Sequence, residues 1–266
     1  MKIAVIGGGS MGMAFVRSWL AKEVQKKENI LVIESCPERI KQIRSDMQIE
    51  VSSDFSLVKE TQYVFIAVKP QDFGTVSAEL TKLIKPEQIV VSIMAGVPLN
   101  KISQSLNGHK RVVRVMPNLP ILTGSGISAF YVDPAVEQVA ANILEQLLRA
   151  GGEVLRLDKE DLLNAVTAIS GSGPGYVFYL LQNLMKVSKE FGFKDSESRH
   201  LIASTIRGSI DLWLNDRRTT EELCAAVTSK GGTTAAALSH FEENKLGTIV
   251  TEGIVKAKKR AEELAK

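Results

Sequence analysis

Residues 2–12 read Lys2-Ile3-Ala4-Val5-Ile6-Gly7-Gly8-Gly9-Ser10-Met11-Gly12, an apolar run that ends in glycines and passes into a helical pattern over Ser10–Val24. The glycines fit G-x-G-x-x-G, and the strand–turn–helix setting is what that motif needs to bind a dinucleotide. Gly7 allows the tight turn, Gly9 lets the backbone approach a pyrophosphate, and Gly12 lets the helix pack closely on the sheet. Ser10 and Met11 complete the turn at the helix N-terminus, where an anion is favoured. Two other motifs overlap the same residues. Gly8–Gly12 also fits the G-x-S-x-G of a serine hydrolase, but an elbow on the first strand leaves no earlier strand to supply an oxyanion loop. A phosphate-binding P-loop fails because Met13 stands where the lysine belongs.

Working outward, apolar runs recur at Ile30–Ile33, Tyr63–Val68, Ile89–Ile93 and Arg111–Met116, with helical stretches between them, among them Pro37–Arg44. The runs are continuously Val/Ile/Ala-rich rather than alternating, which predicts strands buried on both faces in a parallel sheet. Gly126–Val132 and Gly152–Leu157 flank a helix at Pro134–Leu148 and extend that sheet. The reading is an α/β chain: a Rossmann-type, mostly parallel domain over 1–158 and an all-helical domain over 159–266. Glu34 closes the second run, 22 residues after Gly12. A carboxylate there accepts hydrogen bonds from the adenine ribose and repels a 2′-phosphate, which leans towards NADH over NADPH. The Ser35 hydroxyl that follows is suited to a phosphate, so both cofactors stay open.

Whole-chain properties bound the function. The chain has 266 residues, 44% hydrophobic and 24% charged, with a net charge of +3. That composition excludes disorder and gives no basic surface for nucleic acid. The run Lys256–Arg260 reads as a solvated helix face. Two distant cysteines, Cys36 and Cys224, exclude a disulfide framework and a cysteine zinc site, and no metal is expected. No leader-like segment or long apolar span is present, so a cytoplasmic protein with no membrane partner is expected.

From Lys159 onward every segment reads as helix. In the helix opening at Pro174, Tyr176-Val177-Phe178-Tyr179-Leu180-Leu181 is apolar all the way round and calls for burial on all sides. A second copy of the chain is the easiest source of that burial, so a homodimer, or a higher oligomer of dimers, is expected. Leu246, Ile249, Val250, Ile254, Ala257, Ala261 and Leu264 form a second stripe needing a partner. Two glycine- and hydroxyl-rich loops, 170–175 and 229–234, each run into a helix start. The second, Ser229-Lys230-Gly231-Gly232-Thr233-Thr234, offers free N–H groups and a positive dipole end that suit a small carboxylate.

Taken together, the stretches IGGGSMG (6–12), VKPQ (68–71), SIMAGV (92–97), RVMPNLP (114–120), SGSGPGY (170–176) and TSKGGTTAAAL (228–238) resemble the pyrroline-5-carboxylate reductase family essentially end to end. The last stretch is the most specific, and Leu119 departs from the threonine usual after RVMPN. The resemblance implies NADPH- or NADH-dependent reduction of a cyclic imine carboxylate to L-proline, the last step of proline biosynthesis. It implies that Thr234 orients the ring nitrogen as a hydrogen-bond donor. Ser229, Gly231 and the N–H groups of Gly232 and Thr233 would hold the substrate carboxylate. Val68, Lys69, Pro70, Ala95, Gly96 and Asn118, at the carboxyl ends of successive strands, would line the nicotinamide. Lys69 reads equally as an acid or as a structural residue. A β-hydroxyacid dehydrogenase would carry an acid lysine on the helix after the nucleotide domain, and 162–177 contains none. A nucleotide-sensing binding protein is the alternative outside enzymes, and the 229–234 loop argues against it.

Overall fold

Ile3–Ile6 (β1) is buried on both faces because its side chains alternate between two cores. Ile3 and Val5 join one apolar cluster with Phe15, Trp19 and Phe65, and Ala4 and Ile6 join another with Leu31, Val64 and Leu80. The same holds for the strands on either side, Ile30–Ile33 (β2) and Tyr63–Ile66 (β4), and for Ile89–Ser92 (β5) next to β4. The computed structural model describes residues 1–264. Its sheet has eight strands in the order β3-β2-β1-β4-β5-β6-β7-β8, with β3 at Glu50–Ser52, β6 at Val112–Met116, β7 at Gly126–Val132 and β8 at Gly152–Arg156. All neighbours run parallel except β6 and β7, which form an antiparallel pair. The sequence reading has no counterpart to β3. It is three residues long with only Val51 fully buried, too short to give a pattern.

The antiparallel turn has a local cause. After β6 a 3₁₀ turn over Leu119–Thr123 ends at Gly124, whose φ of +71° reverses the chain. A Cβ on Gly126 would lie 2.6 Å from the Ile121 backbone nitrogen, so only glycine lets β7 start so close to the turn.

Helices cover both faces: Ser10–Ala21 (α1), Pro37–Met47 (α2), Phe73–Leu80 (α3), Leu99–Ser105 (α4) and Gln138–Arg149 (α5). The first helix stops three residues before the expected Val24, because Glu23 takes a positive φ and the Val24 N–H reaches back to the Trp19 carbonyl. Trp19 is fully buried, stacks edge-on to Phe65 with ring centres 5.0 Å apart, and donates its indole N–H to the Leu147 carbonyl. That bond ties α1 to the end of α5, so the indole is both apolar filling and a satisfied donor.

The helical remainder comprises Leu162–Val166 (α6), Gly173–Glu190 (α7), Asp195–Asn215 (α8), Thr220–Ala226 (α9), Thr233–Glu243 (α10) and Leu246–Leu264 (α11). The expected loop at 170–175 is not a loop. Thr167–Gly171 is a π-helical turn, marked by a bond from the Ser172 N–H to the Thr167 carbonyl, and α7 follows at once. Gly171 permits this, since the Met116 methyl occupies the place where a Cβ would be.

The chain forms two compact units: Met1–Pro174 together with the stretch from Ala257 onward, and Gly175–Lys256. Within the second unit, helices α8 to α10 and most of α7 enclose very little. The Ser188 and Ser198 hydroxyls, 2.7 Å apart, are buried, yet Tyr179 is 71% exposed and Trp213 is 53% exposed. The stripe on the last helix divides. Ala261 is buried in the first unit, whereas Ile249 and Val250, in the second, are exposed.

A contrast between two glycines tests the packing argument. A Cβ on Gly12 would lie 2.6 Å from the Gly7 carbonyl oxygen and 3.0 Å from the Ala67 Cβ, whereas one on Gly9 would meet nothing within 4 Å. Gly12→Ala should therefore lower stability by about 1–3 kcal/mol, the usual cost of overpacking. Gly9→Ala should change it by less than about 1 kcal/mol. Urea unfolding reads both, and equal losses would refute the close approach of α1 to the sheet.

Candidate functional site

Strand order reverses between β1 and β4, since the chain leaves β1 towards β2 on one side and continues from β4 towards β5 on the other. Ligands of such sheets bind in the crevice outside the carboxyl ends of the strands at this point. Here the Gly7 N–H donates to the Ile33 carbonyl and the Ala67 N–H to the Ile6 carbonyl, each at 2.8 Å, which fixes the three strand ends together. Gly7 has φ +103°, and a Cβ on it would lie 2.9 Å from the Ala67 carbonyl oxygen, so the position tolerates only glycine.

A cleft of about 430 Å³ opens over this junction. Gly7, Gly9, Glu34, Ser35, Val68 and Lys69, six of the residues that the sequence reading assigns to a cofactor, line it. Gly9 faces open space, as a backbone approached by a ligand must. The first turn of α1 carries Ser10, Met11 and Gly12. Ser10 is exposed, Met11 packs against the core, and Gly12 is buried. Pro70 opens a 3₁₀ turn next to Lys69.

Further along the same sheet edge, Ala95 and Gly96 follow β5 and Asn118 follows β6. Gly96 is buried with φ +75°, and a Cβ on it would lie 2.8 Å from the Leu264 Cβ. Part of the apolar stripe on α11 thus already has a partner in its own chain. The Asn118 carboxamide oxygen accepts the Ile127 N–H at 2.9 Å, and its nitrogen faces the Ser170 hydroxyl at 3.4 Å.

Glu34 differs from its expected posture. Its side chain is 7% exposed and turned into the loop rather than outward. One carboxylate oxygen accepts the N–H groups of Ser35 (2.8 Å) and Cys36 (2.9 Å). The other accepts the Gly8 N–H (2.9 Å) and the Arg39 guanidinium (3.3 Å). Burial opposes ionisation, but the Cys36 and Gly8 N–H bonds, the Arg39 charge and the Ser35 N–H outweigh it and hold the carboxyl below its ordinary range. Arg39, Ser53 and Asp72 also line the cleft. None was singled out from the sequence, where a polar residue on a helix or loop gives no sign of the direction it faces.

In the second unit, Ser229–Thr234 forms the turn into α10. Gly231 has φ +73°. The Gly232 N–H donates to the Ser229 carbonyl at 3.0 Å, so it is not the free donor that the sequence reading made it. A Cβ on Gly232 would lie 2.4 Å from the Ser229 hydroxyl oxygen, which therefore lies across that glycine. No side chain caps α10. The N–H groups of Thr233, Thr234 and Ala235 lie in its first turn and have no partner among the described residues. Among the described residues no cluster of His, Cys, Asp and Glu is placed to hold a metal, and no helix is long and apolar enough to cross a membrane.

Comparison with known proteins matches both halves. Residues 160–264 match the family model for pyrroline-5-carboxylate reductase dimerisation, and residues 2–96 match that for NADP oxidoreductase, coenzyme F420-dependent. The chain is 34% identical to the pyrroline-5-carboxylate reductase of Pseudomonas aeruginosa, over 99% of this chain and 97% of that protein. It is also 34% identical to the Aquifex aeolicus enzyme of the same name, with the same coverage. Among solved structures, the pyrroline-5-carboxylate reductase of Coxiella burnetii superposes with a TM-score of 0.87 at 27% identity, covering 100% of this chain and 98% of that one. The Plasmodium falciparum pyrroline carboxylate reductase with NADP bound shares the fold, with a TM-score of 0.92 at 24% identity, again over 100% and 98% of the two chains. With sequence likeness of this extent in both halves, the chain belongs to the pyrroline-5-carboxylate reductase family.

Proposed function

We propose that the protein reduces 1-pyrroline-5-carboxylate to L-proline with NADPH or NADH, as the last step of proline biosynthesis. The observation that carries this reading is the glycine-lined cleft at the strand-order reversal, in a chain that matches enzymes of this name along their length. The open backbone at Gly9 and the positive φ at Gly7 fit a bound pyrophosphate. When bound, the nicotinamide supplies the hydride that adds to the imine carbon, while the ring nitrogen takes a proton.

The chain's own residues then have two tasks, orientation and charge. Ser10, Met11 and Gly12 hold the first turn of α1 at the pyrophosphate. Glu34 and Ser35 define the adenosine end. Val68, Lys69, Pro70, Ala95, Gly96 and Asn118 are assigned to the nicotinamide end. In the helical region over 159–266, Ser229 and the N–H of Thr233 take the substrate carboxylate. Gly231 leaves room for it to approach, and Gly232 lets the Ser229 hydroxyl lie close against the turn. Thr234 donates its hydroxyl to the ring nitrogen as electron density collects there. A threonine hydroxyl is a poor acid, so the proton comes from the protonated substrate or from water. The same helical region pairs two copies of the chain, which would cover the exposed Tyr179 and Trp213. A cytoplasmic location accords with the two unpaired cysteines, Cys36 and Cys224.

Three outcomes are expected. Purified protein should oxidise reduced cofactor only when pyrroline-5-carboxylate is added, with NADH and NADPH followed in parallel. Nucleotide binding without that turnover would favour the binding-protein reading. Thr234→Ala should lower kcat by about 100-fold or less, the low end for one hydrogen bond to a developing charge, because the ground state shares the contact. An unchanged kcat would remove Thr234 from the mechanism. Light scattering should give at least twice the mass of one chain, and a stable monomer at working concentration would refute the pairing.

A further inference from the structure

The Glu34 carboxylate offers about four lone-pair positions. Four donors fill them: the N–H groups of Gly8, Ser35 and Cys36, and the Arg39 guanidinium. None remains for a ribose diol. Turning the carboxylate outward to reach one would leave three backbone N–H groups without their acceptor. Glu34 therefore ties the glycine turn to the start of α2. The Arg39 stem runs beside Gly8, its Cδ 3.4 Å from where a Cβ on that residue would be.

Arg39 is in the opposite condition. Its side chain is half exposed on the cleft rim, and among the described residues its one side-chain hydrogen bond is to Glu34, through one terminal nitrogen. Arg39 and Ser35 both line the cleft, and the remaining guanidinium N–H groups have no acceptor among the described residues. Backbone donors are scarce here. Pro37, the first residue of α2, has no N–H, and those of Ser35 and Cys36 are engaged by Glu34. An anion at this end of the cleft must be met by side chains, and Arg39 with the exposed Ser35 hydroxyl supplies them. The Glu34 charge opposes such an anion only weakly, because Arg39 and three N–H dipoles already surround it.

We infer that Arg39 is the residue that selects a 2′-phosphorylated adenosine, and that Glu34 is a positioning residue that holds Arg39 and the glycine turn in place. The inference rests on the dinucleotide reading of the cleft, and it reverses the lean towards NADH that Glu34 carries as a bare sequence feature.

Calorimetric titration of the full chain with adenosine 2′,5′-bisphosphate and with adenosine 5′-monophosphate tests it, since the pair differs in the 2′-phosphate and undergoes no redox chemistry. The bisphosphate should bind wild type about tenfold tighter or more, as expected for charge-assisted bonds to a phosphate. Arg39→Met should remove most of that ratio while changing monophosphate affinity by less than about twofold, and Arg39→Lys should retain part of it. Glu34→Gln should weaken both ligands together. A wild type that prefers the monophosphate, or an Arg39→Met ratio equal to wild type, would overturn the inference while leaving the cofactor cleft intact. Failure of wild type to bind either compound would instead remove the cleft's nucleotide reading.

Discussion

The carbonyl oxygen of Gly7 lies 2.6 Å from where a Cβ on residue 12 would sit, and the rest of the nucleotide half depends on that missing atom. Because neither residue has a side chain, α1 drops onto the carboxyl ends of β1 and β4, and its N-terminus opens at the point where strand order reverses. The cleft follows from this approach. So does the burial of Phe15 and Trp19 beneath α1, since the helix must sit this low for its aromatic face to meet Phe65. One packing constraint thus produces a core and a cleft at the same helix.

Glu34 shows how the site is held as well as shaped. A buried carboxylate is costly unless paired and hydrogen-bonded, and here it gathers backbone from both the glycine turn and the start of α2. The second strand is thereby linked to the first through a charged group at the rim of the cleft. Arg39 joins the arrangement from α2, bonded to Glu34 through one nitrogen and half exposed where it lines the cleft. The acidic residue and the basic one form a unit in which the acid organises and the base remains available.

The second compact unit follows a different logic. Its helices leave Tyr179, Trp213, Ile249 and Val250 uncovered, more apolar surface than a lone helical unit carries comfortably. Membership of the pyrroline-5-carboxylate reductase family gives this surface a purpose, since the matched family model for this stretch is named for dimerisation. The glycine turn at 231–232 sits in the same unit, where the free N–H groups of α10 come without a capping side chain.

Strand positions, the glycine turn and the helical second half were legible in the sequence because each rests on local signals: continuous apolar runs, glycines at fixed offsets, and proline at helix starts. Val51 and its short strand were not, since three residues carry no period. The π-helical turn at Thr167–Gly171 was hidden because three glycines in a row of hydroxyl residues look like a loop until Met116 is seen packed against one of them. The sequence by itself determined that an acid would close β2 and that glycines would form the turn into α1. Only the tertiary structure decided which way that acid turned. The choice depends on donors from Gly8 and Arg39, which lie 26 residues before Glu34 and five after it, and come together only once the sheet and α2 are assembled.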